Sequence, residues 1–154
     1  MYAIECLDSS PESVLQIADF ITHNEYLLPD PFSIHIDILS YAEKLNQFGI
    51  TFVARNQDRI VGLISGYCND TSNCWAFVQV IIVGEDCQGI GLGKQLLFRF
   101  IEYARNIFQR GTIFLTVDVC NDKARAFYAN LGFQKSSIKV HTNPFKEILE
   151  YQLN

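Results

Sequence analysis

The chain has 154 residues, of which 49% are apolar and 19% charged, and its 17 acidic against 12 basic side chains leave a net charge of −5. That length fits one domain over residues 1–154, burying roughly two-thirds of its unfolded surface, and the acidic balance disfavours nucleic acid as a partner. No apolar run reaches the ~18 residues of a membrane-crossing helix, and "MYAIECLDSS" lacks the basic-then-apolar layout of a signal peptide, so a cytoplasmic protein without a membrane partner is expected.

"YAIECL" reads as a first strand. "SPESVLQIADFIT" opens on a Ser–Pro helix signal and carries Val14, Ile17, Ala18 and Ile21 at helical spacing. After the short Pro-rich loop "LLPDPFS", the stretch "SIHIDILSYAEKLNQFG" puts Ile34, Ile38, Tyr41, Ala42 and Leu45 on one face and stops at Gly49, which predicts a second helix carrying His35 and Asp37. "ITFVARNQDRIVGLISGYC" places "NQDR" between two β-rich runs, the pattern of an antiparallel hairpin. "WAFVQVIIV" is apolar on both alternating faces except at Gln79, as in a central strand covered on both sides. From Leu92 an apolar stripe through Leu96, Phe100, Tyr103 and Ile107 predicts a helix of about four turns. "TIFLTVDV" begins a further strand, and Asn121 caps a helix with Ala124, Phe127, Tyr128 and Leu131 at helical spacing. "FQKSSIKVH" and "KEILEYQL" close the chain as a strand pair. The order is βααβββαβαββ, an α/β domain around a mixed sheet.

The five cysteines are odd in number and form no CxxC pair, so reduced, mostly buried thiols are expected rather than a disulfide framework or zinc knuckle. His23 and His141 have no partner at ligand spacing, and no metal site is expected.

Chemistry concentrates in "VGEDCQGIGLGK", residues 83–94, where a buried strand gives way to a helix. A glycine-rich connection there is a turn in its plainest reading. A helix N-terminus, however, presents unpaired N–H groups and a positive dipole end to an anion, and glycines let the anion approach the backbone. Lys94 adds positive charge and the Gln88 amide can orient the loop. The residue after Lys94 is Gln95, so this is not a GxxxxGK[ST] loop, and "GIGLGK" also fails GxGxxG. A phosphate cradle of another kind is the better reading.

Gln88-Gly89-Ile90-Gly91-Leu92-Gly93 resembles the acetyl-CoA signature Q/R-x-x-G-x-G/A of the GNAT superfamily of N-acetyltransferases. A second family pattern, N-x-x-A-x-x-x-Y-x-x-x-G-F, is matched by Asn121, Ala124, Tyr128, Gly132 and Phe133. The likeness is firm from about residue 50 to 134 and looser outside. It implies the GNAT-like fold, a mixed, mostly antiparallel sheet of about seven strands flanked by about four helices. It also implies an acyltransferase that moves acetyl from acetyl-CoA, without a metal, to a primary amine by direct attack in a ternary complex. By the same resemblance, the amides of Gln88, Gly89, Ile90, Gly91, Leu92, Gly93 and Lys94 hold the pyrophosphate, and Ile81 and Val83 pair with the pantetheine arm. A backbone N–H near Ile82 polarises the thioester carbonyl, and Asn121 either shapes the cofactor side or simply caps its helix. Lys123 and Arg125 are candidates for the adenosine 3′-phosphate against a plain solvated face.

Tyr128 has both a packing reading and, by resemblance, a place beside the thioester sulfur as general acid, since a departing thiolate needs a proton or a hydrogen bond. An alkylammonium acceptor, with a pKa of ~10.4, must first lose a proton. Many family members carry a Glu for this on their fourth strand, where this chain has Gln79. Asp118 is the candidate base, with His35 and Asp37 as further candidates and, together with Gln79, as acceptor-binding residues; each also fits a cap or plain surface polarity. "LLPDPFSIHIDILSYAEKL" looks like small bacterial GNAT proteins of surface-polysaccharide pathways, which implies a small-molecule amine acceptor such as an amino sugar. A homodimer is a candidate assembly, and a catalytically silent CoA-binding sensor or interaction module is the alternative function.

Overall fold

The computed structural model describes residues 2–139 and 143–154. His141 and the end of the run "FQKSSIKVH" lie outside the described residues.

β1 (Ala3–Cys6) leads into α1 (Pro11–Asn24), whose N-terminus is closed by Ser10 accepting from Ser13 N at 3.2 Å. α1 buries Ile17, Phe20 and Ile21. α2 (Ile38–Phe48) begins later than its pattern suggests. Asp37 is its N-cap, accepting from Ser40 N and Oγ, and a single 3₁₀ turn at Phe32–Ile34 precedes it. The helix therefore carries neither His35 nor Asp37, and Ile34 is 70% exposed rather than part of the buried stripe. An Asp that caps its own helix competes with the preceding residues for the first turn.

β2 (Ile50–Asn56) and β3 (Arg59–Asp70) form the expected hairpin, turning at Gln57 with φ 58°. β4 (Trp75–Val83) is followed by α3 (Leu92–Phe108), β5 (Gly111–Asp118), α4 (Asp122–Asn130), β6 (Gln134–Lys135) and β7 (Lys146–Leu153). α3 buries Leu92, Leu96, Leu97, Phe100, Ile101, Ala104 and Phe108. Its inner face is thus wider than the stripe read from sequence and excludes Ile107, which is 42% exposed. The seven strands lie in the order β1-β2-β3-β4-β5-β7-β6, antiparallel except for β4 and β5. Seven strands and four α-helices in this succession are the expected fold. The cysteines are free, but only Cys87 is buried, and Cys6 and Cys120 are exposed, so the expectation of mostly buried thiols fails.

α1 and α2 pack Ile17, Phe20, Ile21, Ala42 and Leu45 against Val53, Leu63, Val80 and Ile82 on one face of the sheet. On the other, α3 and α4 close over Ile64, Ala76, Val78, Ile113 and Leu115. β4 thus sends Ala76 and Val78 to one face and Val80 and Ile82 to the opposite one, although all four are even-numbered. A β-bulge resolves this: Ser65 pairs with Val80 and Gly66 with Val78, leaving Gln79 as the extra, unpaired residue. Beyond the bulge the half-buried Ile81 and Val83 pack against the core under α3, whereas Trp75 and Phe77 before it, equally half-buried, belong to neither core.

Opposite the bulge, a Cβ on Gly66 would stand 2.1 Å from Phe77 O and 2.9 Å from the Phe100 ring. Backbone at that distance cannot yield without disturbing the bulge. Gly66→Ala is expected to cost about 3 kcal/mol, at the upper end for an overpacked core site, read as a lowered urea midpoint.

Candidate active site

The parallel ladder between β4 and β5 has only three pairs, ending at Phe77 and Phe114. β4 nevertheless runs on to Val83 and β5 to Asp118, so the two strands part. Gly84 N donates to Val61 O on the β3 side at 2.8 Å. Strand alternation then turns the amide of Ile82 toward β3 and those of Ile81 and Val83 toward the gap. A cavity of about 320 Å³ fills the gap. Its walls include Gln79 and Ile81 of β4, Thr116 and Asp118 of β5, Asn121 and Tyr128 at α4, and Leu28 to Phe32 in part. A larger cavity, of about 570 Å³, lies between α1, the β2–β3 turn and Glu85–Cys87, and holds no residue of either sequence motif. Volume alone does not make it the reactive site.

At the outer end of β4 the glycine loop turns into α3. Gly89 and Gly91 have φ of 82° and 84°, the left-handed region, and a Cβ on either would meet nothing within 4 Å. Ile90 between them is 53% exposed, while Leu92 is buried and anchors the helix start. Gly91 is the N-cap and offers no side chain; the first helical bond is Gln95 N to Gly91 O, at 3.1 Å. The amides of Leu92, Gly93 and Lys94 therefore have no intrahelical partner. Open space over unpaired amides at a helix start suits a phosphate-bearing arm. Gly93 differs from Gly89 and Gly91: a Cβ on it would stand at ordinary contact distance, 3.5 Å, from the Phe127 ring. Gln88 Nε2 donates to Val83 O at 3.0 Å and ties the loop to the strand. Lys94 extends over the Phe98 ring at 5.5 Å.

Tyr128 is 8% exposed, wedged between Phe127 and Phe133, and lines the cavity. Burial pushes its phenol up to about 12. Asn121 Oδ1 accepts from Ala124 N at 3.2 Å, so its amide oxygen caps α4 even as the residue lines the cavity. Arg125 is held by Glu147 at 2.7 Å, and no ion pair involves Lys123 among the described residues.

Asp118 lines the cavity, but Lys146 Nζ stands 2.9 Å from its carboxylate and 3.8 Å from that of Asp30. His35 Nε2 lies 2.7 Å from Asp30. That hydrogen bond holds the Asp30 carboxyl below its usual range, with burial opposing it and the charges of His35 and Lys146 adding to it. An ionic chain His35–Asp30–Lys146–Asp118 thus joins the α1–α2 connection to β5. His35 touches the cavity only through Asp30, and Asp37 lies outside it as a cap. Sequence reasoning passed over Asp30 and Lys146; the two prolines flanking Asp30 in "LPDPF" were the available signal. Among the described residues no cluster of His, Cys, Asp and Glu could hold a metal ion, and no helix is long and apolar enough to cross a membrane.

The strands part beside a helix start whose open amides suit a phosphate-bearing ligand. The chain matches the model of the acetyltransferase (GNAT) family over residues 13–133 and belongs to that family. It is 35% identical over 85 residues to an uncharacterized N-acetyltransferase of Methanocaldococcus jannaschii, covering 54% of this chain and 51% of the relative. It is 36% identical over 62 residues to the N-alpha-acetyltransferase RimI of Mycobacterium tuberculosis, covering 40% and 37%. The chain spans about half the length or less of these curated relatives. The ribosomal-protein-S18-alanine N-acetyltransferase of Escherichia coli superposes with a TM-score of 0.78 at 19% identity, over 99% of this chain and 94% of the other, a likeness of fold.

Two outcomes follow from this geometry. Gly91→Val places a β-branched residue in the left-handed region, so a stability loss of about 2 kcal/mol is expected in urea unfolding, while affinity for acetyl-CoA in calorimetry should fall at least ~10-fold from obstruction of the open space. For Tyr128, folded and unfolded chains both hold the phenol proton below pH ~10, and only the folded chain holds it as pH rises toward about 12. The stability due to this group is therefore present below pH ~10 and lost as pH climbs through about 12. Tyr128→Phe should lose less stability than the parent between pH ~9 and ~11 in urea titrations.

Proposed function

We propose that the protein transfers the acetyl group of acetyl-CoA to the primary amine of a small molecule, by direct attack in a ternary complex within a single catalytic domain. The observation that carries this reading is the gap between β4 and β5, with Tyr128 on its wall and the uncapped start of α3 at its end. The amides around Gly89 to Lys94 would take the pyrophosphate, and those of Ile81 and Val83 would pair with the pantetheine arm as an added strand. Acetyl-CoA supplies an activated thioester carbonyl. The amine nitrogen forms a bond to that carbon, the carbon–sulfur bond breaks, and the sulfur leaves with the electron pair.

Tyr128 serves the departing sulfur. A phenol near 12 stays neutral at working pH and lies about 3.5 pH units above an ordinary thiol, so donating a hydrogen bond to the thiolate is easier than handing over the proton outright. Burial thus makes Tyr128 a persistent donor and a weaker acid than the sequence reading supposed. Asp118 is the proposed acceptor of the amine's proton, through water, with Lys146 holding its orientation. Asp30 and Asp118 together favour a cationic acceptor at this mouth. The likeness to RimI supports a second reading, in which the acceptor is the α-amine of a peptide.

Acetyl-CoA at about 100 times its dissociation constant should stabilise the fold by roughly 2.7 kcal/mol. An amine panel assayed for thiol release then tests transfer, and Tyr128→Phe should bind acetyl-CoA normally while turning over roughly 10²-fold more slowly. An unaltered melting temperature with no heat of binding would end the proposal. Binding without transfer to any amine would make the chain a CoA-dependent sensor, and wild-type turnover by Tyr128→Phe with chemistry rate-limiting would remove the role given to that hydroxyl.

A further inference from the structure

On the sheet face that carries α1 and α2, those helices pack on β2, β3 and the end of β4, and among the described residues neither α1 nor α2 makes an extended contact with β5 or β7. Ala76, Val78, Ile113, Leu115 and Leu149 point into the core under α3. Strand alternation therefore turns Trp75, Phe77, Phe114, Thr116 and Ile148 to the opposite face, where Phe114 is itself buried against Trp75 and Phe77. They form the floor of a trough of about 230 Å³, walled on its outer side by Ile138, which is 43% exposed. Its aromatic side chains hold one another: Trp75 meets Phe114 edge-on at 5.2 Å, and Phe77 stacks on Phe114 at 5.6 Å. Val78, Gln79, Leu115 and Thr116 belong both to this trough and to the cavity beside Tyr128, so the two spaces adjoin at these residues.

We propose that this trough is the acceptor subsite, and that it selects an amine carrying an aromatic ring on a short alkyl spacer. The proposal rests on the acetyl-transfer reading of the neighbouring cavity. An amine delivered to the gap between Gln79 and Thr116 has the carboxylates of Asp30 and Asp118 ahead of it to draw its positive charge. Two residues back along each strand, ~7 Å away, lie Phe77 and Phe114, the level at which its ring would rest. Edge-on or offset stacking of such a ring on these side chains adds to the burial of its apolar area. Gln79 and Thr116 stand at the trough's cavity end, and among the described residues the ring N–H of Trp75 is the one other polar side-chain group in its lining. An amino sugar has more hydroxyls than these few groups can satisfy, and each one buried without a partner costs an unmade hydrogen bond.

Trp75 is the sole tryptophan of the chain, so its emission reports on the trough directly. Phenethylamine titrated into the protein, with and without saturating CoA, should give a saturable change in Trp75 fluorescence, and glucosamine should give none. Ile138→Asp, at an exposed position away from Tyr128 and the glycine loop, should raise the phenethylamine dissociation constant about 10-fold and leave acetyl-CoA binding unchanged. In turnover, kcat/KM for phenethylamine should exceed that for glucosamine or a polar peptide amine by a similar factor, and the variant should lose that preference through KM. No saturable fluorescence change, an equal response to glucosamine, or a response indifferent to Ile138→Asp overturns the subsite even if acetyl-CoA binds and other amines are acetylated. Phenethylamine binding to a protein that neither binds nor uses acetyl-CoA would instead sink the transfer reading and leave the trough as a ligand site.

Discussion

Two strands that begin as neighbours and then part create everything this chain can do. After three parallel pairs β4 leaves β5, and the peptide groups facing the gap lose their partners in the sheet. Unpaired backbone is costly wherever water is excluded, so such a gap suits an occupant with a peptide-like arm. The bulge at Gln79 lies just beyond the last pair and marks where the strands diverge. It also exchanges the faces to which β4 sends its side chains, which lets Val80 and Ile82 sit under α1 and α2 while Ala76 and Val78 sit under α3. Gly66 is the counterpart of this device on β3, where only a hydrogen fits against the Phe77 carbonyl.

The cavity wall differs in character from part to part. Around Tyr128 it is aromatic, which keeps a neutral phenol neutral. Elsewhere on it the carboxylates of Asp30 and Asp118 flank the Lys146 ammonium, with the His35 ring hydrogen-bonded to Asp30. Lys146 Nζ sits 2.9 Å from the Asp118 carboxylate and occupies part of its hydrogen-bonding capacity, so an approach to an acceptor amine through water fits this geometry. β4 brings Gln79 and no carboxylate to the cavity, whose charged groups come instead from β5, β7 and the α1–α2 connection.

The glycines of the loop divide the labour differently from their appearance as a single motif. Gly89 and Gly91 supply left-handed backbone, and the space above them is open. A Cβ on Gly93 would reach ordinary contact distance of Phe127, so this glycine is needed for neither backbone conformation nor clearance. Gln88 ties the loop to the strand by donating its side-chain amide to Val83 O.

Local pattern alone determined the element order, because helical and strand periodicities repeat over segments long enough to be distinguished; it also marked the glycine loop at 88–94, the Asn121 cap and the position of Tyr128. Where several local signals overlapped, the reading drifted. The apolar spacing of Ile34 and Ile38 suggested a longer α2, and only the folded chain discloses that Asp37 caps the helix and leaves Ile34 in water. The bulge had no sequence mark, since β4 alternates in burial straight through it and the register shift exists only against β3. The same holds for the ion chain, whose members lie at positions 30, 35, 118 and 146 and meet only when β7 enters the sheet between β5 and β6. Tertiary structure likewise decided that Trp75, Phe77, Phe114, Ile138 and Ile148 line one trough. Contacts between residues far apart in the chain depend on strand order and register, and no local periodicity encodes those.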